Sequence, residues 1–308
     1  MSTATTISVG AARPAGRFTS IGRELRQSQW AYLLLSPFLI LFVLVLAYPL
    51  LYSLYLSFFD ATLNQAPIFV GFQNFAKLFT DAEFLQAVRN TTFFDVFVVI
   101  GETVLPLFMA IAMNEALPFR TALRAAFFLP VVTSWTVISL IWAMLFAQQG
   151  LANSIVQLLG IPTQPFFSDP GQAMWIIIAV AIWRNLGYYM VIYLAALQGV
   201  PQELYEAAAI DGATKLRQIW HVAIPALRPV IYFVITITII RSFQLFEQPF
   251  IMTNGGPLNA TLSIVQLLYR HAFTNLEFGS GSAIATFLLV LLVALALVNK
   301  RVHDLVVQ

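Results

Sequence analysis

Six long apolar stretches, separated by polar segments, set the pattern of this chain. They run over 30–58, 90–114, 122–147, 173–199, 229–252 and 278–299. Each meets or exceeds the ~20 residues a helix needs to cross the hydrocarbon core of a bilayer. The intervening segments are of two kinds. Those at 59–89, 148–172 and 253–277 are long and hold Gly, Pro, Asn and aromatic residues, whereas 115–121 and 200–228 carry most of the loop Lys and Arg. The pattern predicts an all-α integral membrane protein of six transmembrane helices. Residues 1–29 form a polar tail, and 30–308 form one membrane domain without an internal repeat.

Composition supports this reading. Of the 308 residues, 59% are hydrophobic and 10% are charged, against ~25% charged in soluble proteins. Too few charges are present to cover a water-facing surface, so lipid is the expected surroundings. The net charge of +2 is too small to argue for nucleic acid. Cysteine is absent, which excludes disulfides, thiolate metal sites and a cysteine nucleophile.

Charge also predicts orientation. With the N-terminus inside, one side collects eleven Lys and Arg, among them Arg13, Arg17, Arg23 and Arg26 of the tail, and the other side only Lys77, Arg89 and Arg270. Basic loops stay in the cytoplasm, so both termini are expected there. The apolar run from Trp30 to Phe59 is too long for a signal-peptide core and reads as a retained first span.

The segment 200–228, VPQELYEAAAIDGATKLRQIWHVAIPALR, is too polar to span and too patterned for a slack linker. Pro201 suits a first helical position. Glu203 and Glu206 lie near a helix start, where the dipole favours negative charge. Ala207, Ala208 and Ala209 are strong helix formers. Gly212 then interrupts, because glycine adopts the left-handed conformation that ends a helix. A second short helix is expected from about Ala213 to Val222, with Leu216, Ile219 and Trp220 on its apolar side. Pro225 and Pro229 mark its exit into the fifth span. Such a helix–turn–helix can dock in a groove of another protein, or pack on its own bundle. A DNA-binding role is disfavoured, because membrane spans tether both ends.

At these residues a family resemblance emerges. Glu206-Ala207-Ala208, Asp211-Gly212-Ala213 and Pro225 stand at the spacing of the EAA loop of ABC importer permeases. Val222 and Ile224-Pro225 replace the usual Ile and Leu-Pro. FVGFQNFAKLF at 69–79, Asn90-Thr91-Thr92, LRAAFFLPVVTS at 123–134 and MTNGGP at 252–257 resemble segments of the carbohydrate-uptake branch, of the maltose and glycerol-3-phosphate type. The resemblance covers roughly 30–300 and implies the type I importer fold in a bacterial cytoplasmic membrane. It implies a second homologous permease subunit, two ATP-binding subunits carrying ATP and Mg, and an extracytoplasmic solute-binding protein. It also implies that the EAA loop couples to the ATPase, through Glu206, Ala207, Ala208, Asp211, Gly212, Ala213, Leu216, Trp220 and Pro225. The sequence lacks a G-x-x-x-x-G-K-[ST] phosphate loop, so ATP hydrolysis belongs on another chain. No catalytic residue, resident cofactor or metal site is expected on this one.

Polar groups inside the spans are costly and usually face the bundle interior or a wet cavity. Asp95 and Glu102, seven apart, share a helix face. Arg241, Gln244 and Gln248 predict one polar stripe on the fifth span, with Glu247 beside it. Arg184, Asn185 and Tyr188 cluster on the fourth span, followed by Tyr189. Trp135, Ser139 and Trp142 form one face of the third. These groups suit a sugar pathway of aromatic faces and planar polar groups. They equally suit internal pairing, for instance of Arg184 or Arg241 with Glu102, or packing against a partner. Two arginines against three acids weaken the case for a phosphate-bearing substrate. MTNGGP is an ordinary turn signal, and is also expected to shape the outer surface near the binding protein.

Two rival classes remain. A secondary, ion-coupled transporter would show repeated halves and would leave the EAA loop unexplained. An intramembrane serine protease would need a base beside Ser280 or Ser282, and only His271 lies at that depth.

Overall fold

The computed structural model describes residues 29–115 and 118–307; the tail arginines Arg13, Arg17, Arg23 and Arg26 lie outside the described residues. The chain divides into two compact units, Met1–Tyr52 and Ser53–Gln308. α1 (Gln29–Leu41), in the first unit, runs through a π-helical turn, Phe42–Ala47, into α2 (Tyr48–Leu56), whose last four residues belong to the second. The membrane-length helix so formed is Tyr32–Leu56, close to the expected first span. Its apolar side chains are exposed, Leu34 by 82%.

The second unit continues with a small antiparallel hairpin, β1 (Phe59–Thr62) and β2 (Gln65–Phe69), the one departure from an all-helical chain among the described residues. Asn74, on the short helix α3 (Gln73–Leu78), fixes it by donating to the carbonyls of Ser57 and Phe59, both at 2.9 Å. The long helix α4 (Ala82–Asn114) starts eight residues before the expected boundary at 90, capped by Asp81. Asn90 and Thr91 therefore sit two turns inside it. From there Asn90 donates to the carbonyls of Asn259 and Leu262, and Thr91 accepts from the Ile264 N–H.

The third span is broken. α5 (Arg120–Val132) and α6 (Trp135–Leu145) meet at 98°. Thr133 and Ser134 leave the helical conformation, and Ser134 caps α6 by accepting from the Val137 N–H. A short helix α7 (Leu151–Leu158) and a 3₁₀ turn at Phe166–Ser168 lead to α8 (Pro170–Gln198), the fourth span. Asp169 caps α8, and Pro170 takes a first-turn position, where its missing N–H costs nothing. Helices α4 and α8 form the centre of the unit, with Tyr189 and Tyr193 fully buried. Apolar helices gain little from association in lipid, so close packing must hold them. Gly187 provides this on the α5 side, since any Cβ there would collide with the Phe127 carbonyl.

The loop helix α9 (Gln202–Ile210) starts one residue after Pro201 and ends two residues before Gly212, whose φ of +79° is the expected left-handed turn. The short second helix is corrected. α10 (Lys215–Gln218), a π turn at Ile219–Ala223 and α11 (Ile224–Ser242) form one continuous helix. Pro225 does not end it. The Ile224 N–H donates to Ile219 O, five residues back, so the ladder widens just ahead of the residue that cannot donate. The same device precedes Pro49, where the Tyr48 N–H donates to Val43 O.

The fifth span ends earlier than expected, at Ser242, and a separate helix α12 covers Glu247–Met252. Pro249 explains the break. In a continuing helix it would orphan the Leu245 carbonyl, whereas here that carbonyl accepts from Ser263 Oγ at 2.6 Å. The connection 253–277 is packed rather than slack: α13 (Ile264–Tyr269) buries Ile264, Gln266 and Leu267. A π turn at Arg270–Thr274 leads to the last helix, α14 (Phe278–Val307). The hairpin, this connection and the starts of α4 and α14 gather at one end of the unit, where Thr62 bridges Glu277. The end of α4 and the 200–228 loop meet at the other, through Lys215 and Glu115.

Candidate functional site

A cavity of ≈ 480 Å³ opens among the spanning helices. Phe94, Val98 and Glu102 of α4, Trp135 of α6, Ala181, Arg184 and Asn185 of α8, and Arg241 to Gln248 apart from Phe243 line it. The broken third span explains much of its order. Breaking a helix frees carbonyls, and buried carbonyls need donors. One nitrogen of the Arg184 guanidinium donates to Val131 O at 2.9 Å and Thr133 O at 3.0 Å. A second donates to Asn185 Oδ1 at 2.9 Å, while Asn185 Nδ2 donates to Glu102 Oε1 at 2.7 Å. The Trp135 ring covers the guanidinium, 4.6 Å from it. Arg184 thus splints the break and links it to the buried Glu102 through Asn185.

The expected pairing of Arg184 or Arg241 with Glu102 does not occur as a direct ion pair among the described residues. Arg241 instead lies over the Tyr188 ring at 5.2 Å. Asp95 accepts from Ser242 Oγ. It shares the α4 face with Glu102 but is not part of the cavity lining. The single stripe expected from Arg241, Gln244 and Gln248 is also corrected, because α11 ends between them. Arg241 ends α11, Gln244 sits in the turn, and Glu247 and Gln248 begin α12. The turn still brings all four to the cavity wall, where Arg241, Gln244 and Glu247 are exposed.

Trp142 departs from the expected set. It meets Trp183 at 5.3 Å and lines a separate apolar groove with Trp175 and Phe146, not the cavity of Arg184. Ser139 is fully buried. Sequence reasoning missed Phe246 and Ser242. Phe246 carries no signal in an apolar run, whereas Ser242 was detectable as a polar neighbour of Arg241.

At the other locus, Glu206, Ala207, Asp211, Gly212, Leu216 and Trp220 are exposed, while Ala208, Ala213 and Pro225 are half-buried. Ile210 is 87% and Leu216 66% exposed. Tyr205 tucks beneath α9, where burial raises its phenol above the ordinary value and keeps it neutral. Gln218 reaches back to the Tyr205 and Ala213 carbonyls and braces the turn.

The protease constellation fails on geometry. His271 Nδ1 faces both Glu277 Oε2 at 2.9 Å and Ser280 Oγ at 3.0 Å. A relay needs one ring nitrogen for the serine and the other for the acid.

Comparison with known proteins agrees with the fold. Residues 102–308 match the family described as binding-protein-dependent transport system inner membrane component. The arabinooligosaccharides transport system permease AraP of Bacillus subtilis strain 168 is 34% identical over 294 residues, 94% of this chain and 93% of that protein. The sn-glycerol-3-phosphate transport system permease UgpA of Agrobacterium fabrum C58 is 31% identical, over 88% of this chain and 95% of that one. A bacterial ABC transporter involved in import of the acidic polysaccharide alginate matches in fold, with TM-score 0.84 at 22% identity over 94% of this chain and all of that one. The chain belongs to the family of inner membrane components of binding-protein-dependent transport systems. It is a multi-pass permease subunit rather than an enzyme, which removes the ion-coupled transporter and the protease.

Proposed function

We propose that this permease forms half of the pathway for a sugar or sugar derivative, moved inward by ATP hydrolysed on a separate chain. One observation carries the reading: exposed Arg241, Gln244 and Glu247 surround a ≈ 480 Å³ cavity among membrane-spanning helices. Lipid contact would favour apolar side chains there, so a water-filled seam completed by a second permease subunit suits them better. Trp135 and Phe246 supply aromatic faces, and Asn185, Gln244 and Gln248 supply planar amides, a fit to sugar hydroxyls. AraP and the alginate importer are named for saccharide cargo, which supports the same class.

The excess of Lys and Arg on one side supports a cytoplasmic position for both termini and 200–228. There Ile210, Leu216 and Trp220 project around the Glu206–Ala213 turn and seat in a cleft of the ATP-binding subunit, which holds ATP and Mg. Closing of two such subunits carries the loops with it and switches the bundle between two packed states. The opposite face, with 253–277, receives the solute-binding protein. Measuring uptake by Gln244→Ala tests the cavity: half-saturation rises or flux falls while the ATP-binding subunit still co-purifies. Kinetics equal to the parent's refute it.

A further inference from the structure

A second cavity of ≈ 330 Å³ lies at the hairpin end, beneath the 253–277 connection. Glu83, Phe250, Asn254, Gln266, Tyr269 and Arg270 are among its lining residues. Its volume falls at the small end of the ~300–1,000 Å³ of ligand sites, room for one sugar ring rather than a chain. Gln266 is the unusual member. It is fully buried, and its Oε1 has no hydrogen-bond partner. A buried oxygen left unpaired is costly, and a donor arriving from outside would relieve it.

Gly255 packs closely beside that oxygen. Its φ is +82°, and a Cβ there would stand 3.2 Å from Gln266 Oε1 and 2.8 Å from Arg270 Nη2. Arg270 is held on the rim, donating to Asn254 O at 3.0 Å and Asn259 Oδ1 at 3.3 Å. Its fork of five N–H groups leaves further donors. Aromatic rings connect this cavity with the one in the membrane. Phe250 and Tyr269 lie 5.5 Å apart, and Phe246 stacks on Phe250 at 5.0 Å and meets Tyr269 at 5.3 Å. Phe246 itself lines the membrane cavity, so one aromatic cluster borders both.

The geometry points to this second cavity as an entry subsite for a neutral sugar ring, occupied before the ring passes Phe246 into the membrane cavity. A sugar hydroxyl donates to Gln266 Oε1, a ring face lies against Tyr269 and Phe250, and Arg270 donates to a second hydroxyl. The inference rests on the importer reading and its orientation.

The chain has no cysteine, so Thr274→Cys, on the exposed wall of the cavity, gives it a single thiol. The assembled transporter is treated with a neutral maleimide, and labelling of this chain is followed by gel. The probes are glucose, galactose, arabinose and maltose, without the binding protein. Labelling slows several-fold with at least one sugar, and Gln266→Leu or Tyr269→Ala removes the protection. Asn275→Cys serves as a second reporter should Thr274→Cys fail to accumulate. No protection by any of the four sugars overturns the subsite. So does protection that needs only the sugar-free binding protein, which would make the cavity a protein-docking surface. ATP-dependent uptake by the parent chain is measured in parallel; its presence with a failed subsite leaves the importer reading standing.

Discussion

Asn185 donates its side-chain N–H to Glu102 across 2.7 Å, joining the two central helices inside the membrane. Glu102 is 2% exposed, so the bond holds a carboxyl group that has almost no access to water. Asn185→Leu removes the donor and also the acceptor for Arg184. Leaving a buried polar group unpaired costs about 1–3 kcal/mol. The expected outcome is a lower unfolding temperature of the purified transporter, read by intrinsic fluorescence. Glu102→Gln, which keeps an acceptor, should lose much less.

The Ser263 hydroxyl satisfies the Leu245 carbonyl at 2.6 Å, where Pro249 has interrupted the helix. Ser263→Ala keeps the shape and removes the donor. Destabilisation of about 1–3 kcal/mol is expected, together with altered uptake, because the same turn presents Gln244 and Glu247 to the cavity. A thermal melt and an uptake curve on one preparation check both.

At Gly212 the requirement is conformational and not steric. Its φ is +79°, and a Cβ would meet nothing within 4 Å. Placing an ordinary L-residue in the left-handed region costs roughly 1–2 kcal/mol, and Asn tolerates it better than Ala. Uptake should therefore rank parent, Gly212→Asn, Gly212→Ala, Gly212→Pro, with the last abolished because proline fixes φ near −65°. Immunoblots of membranes should show similar amounts of all four. Normal uptake by Gly212→Pro would dismiss the turn as a coupling element.

Lys215 and Glu115 form an ion pair at 2.9 Å, but their side chains are 79% and 59% exposed. Screening by solvent limits such a pair to about 0–1 kcal/mol. Lys215→Ala or Glu115→Ala should shift the unfolding temperature little, and raised salt should reduce even that.

The legible parts of the sequence were those governed by local rules. Length and hydropathy placed the helix Tyr32–Leu56, and Gly212 was readable as a left-handed stop. The 98° break at Thr133–Ser134 was not, because hydropathy is blind to direction and apolar residues flank it on both sides. Arg184 was legible as costly, but its purpose was not: it caps carbonyls that only the break exposes. Pro225 and Pro249 look alike in sequence and act oppositely. One is absorbed by a π turn, whereas the other sits in the first turn of a new helix, with Ser263 supplying the missing bond.

The most direct test of the central claim is sugar uptake into proteoliposomes holding this permease with its partner permease and ATP-binding subunits. Uptake should require both ATP at the ATP-binding subunits and the solute-binding protein on the opposite face, and no ion gradient should replace ATP. Accumulation driven by an ion gradient without ATP, or ATP-driven accumulation unaffected by omitting the binding protein, would contradict the account.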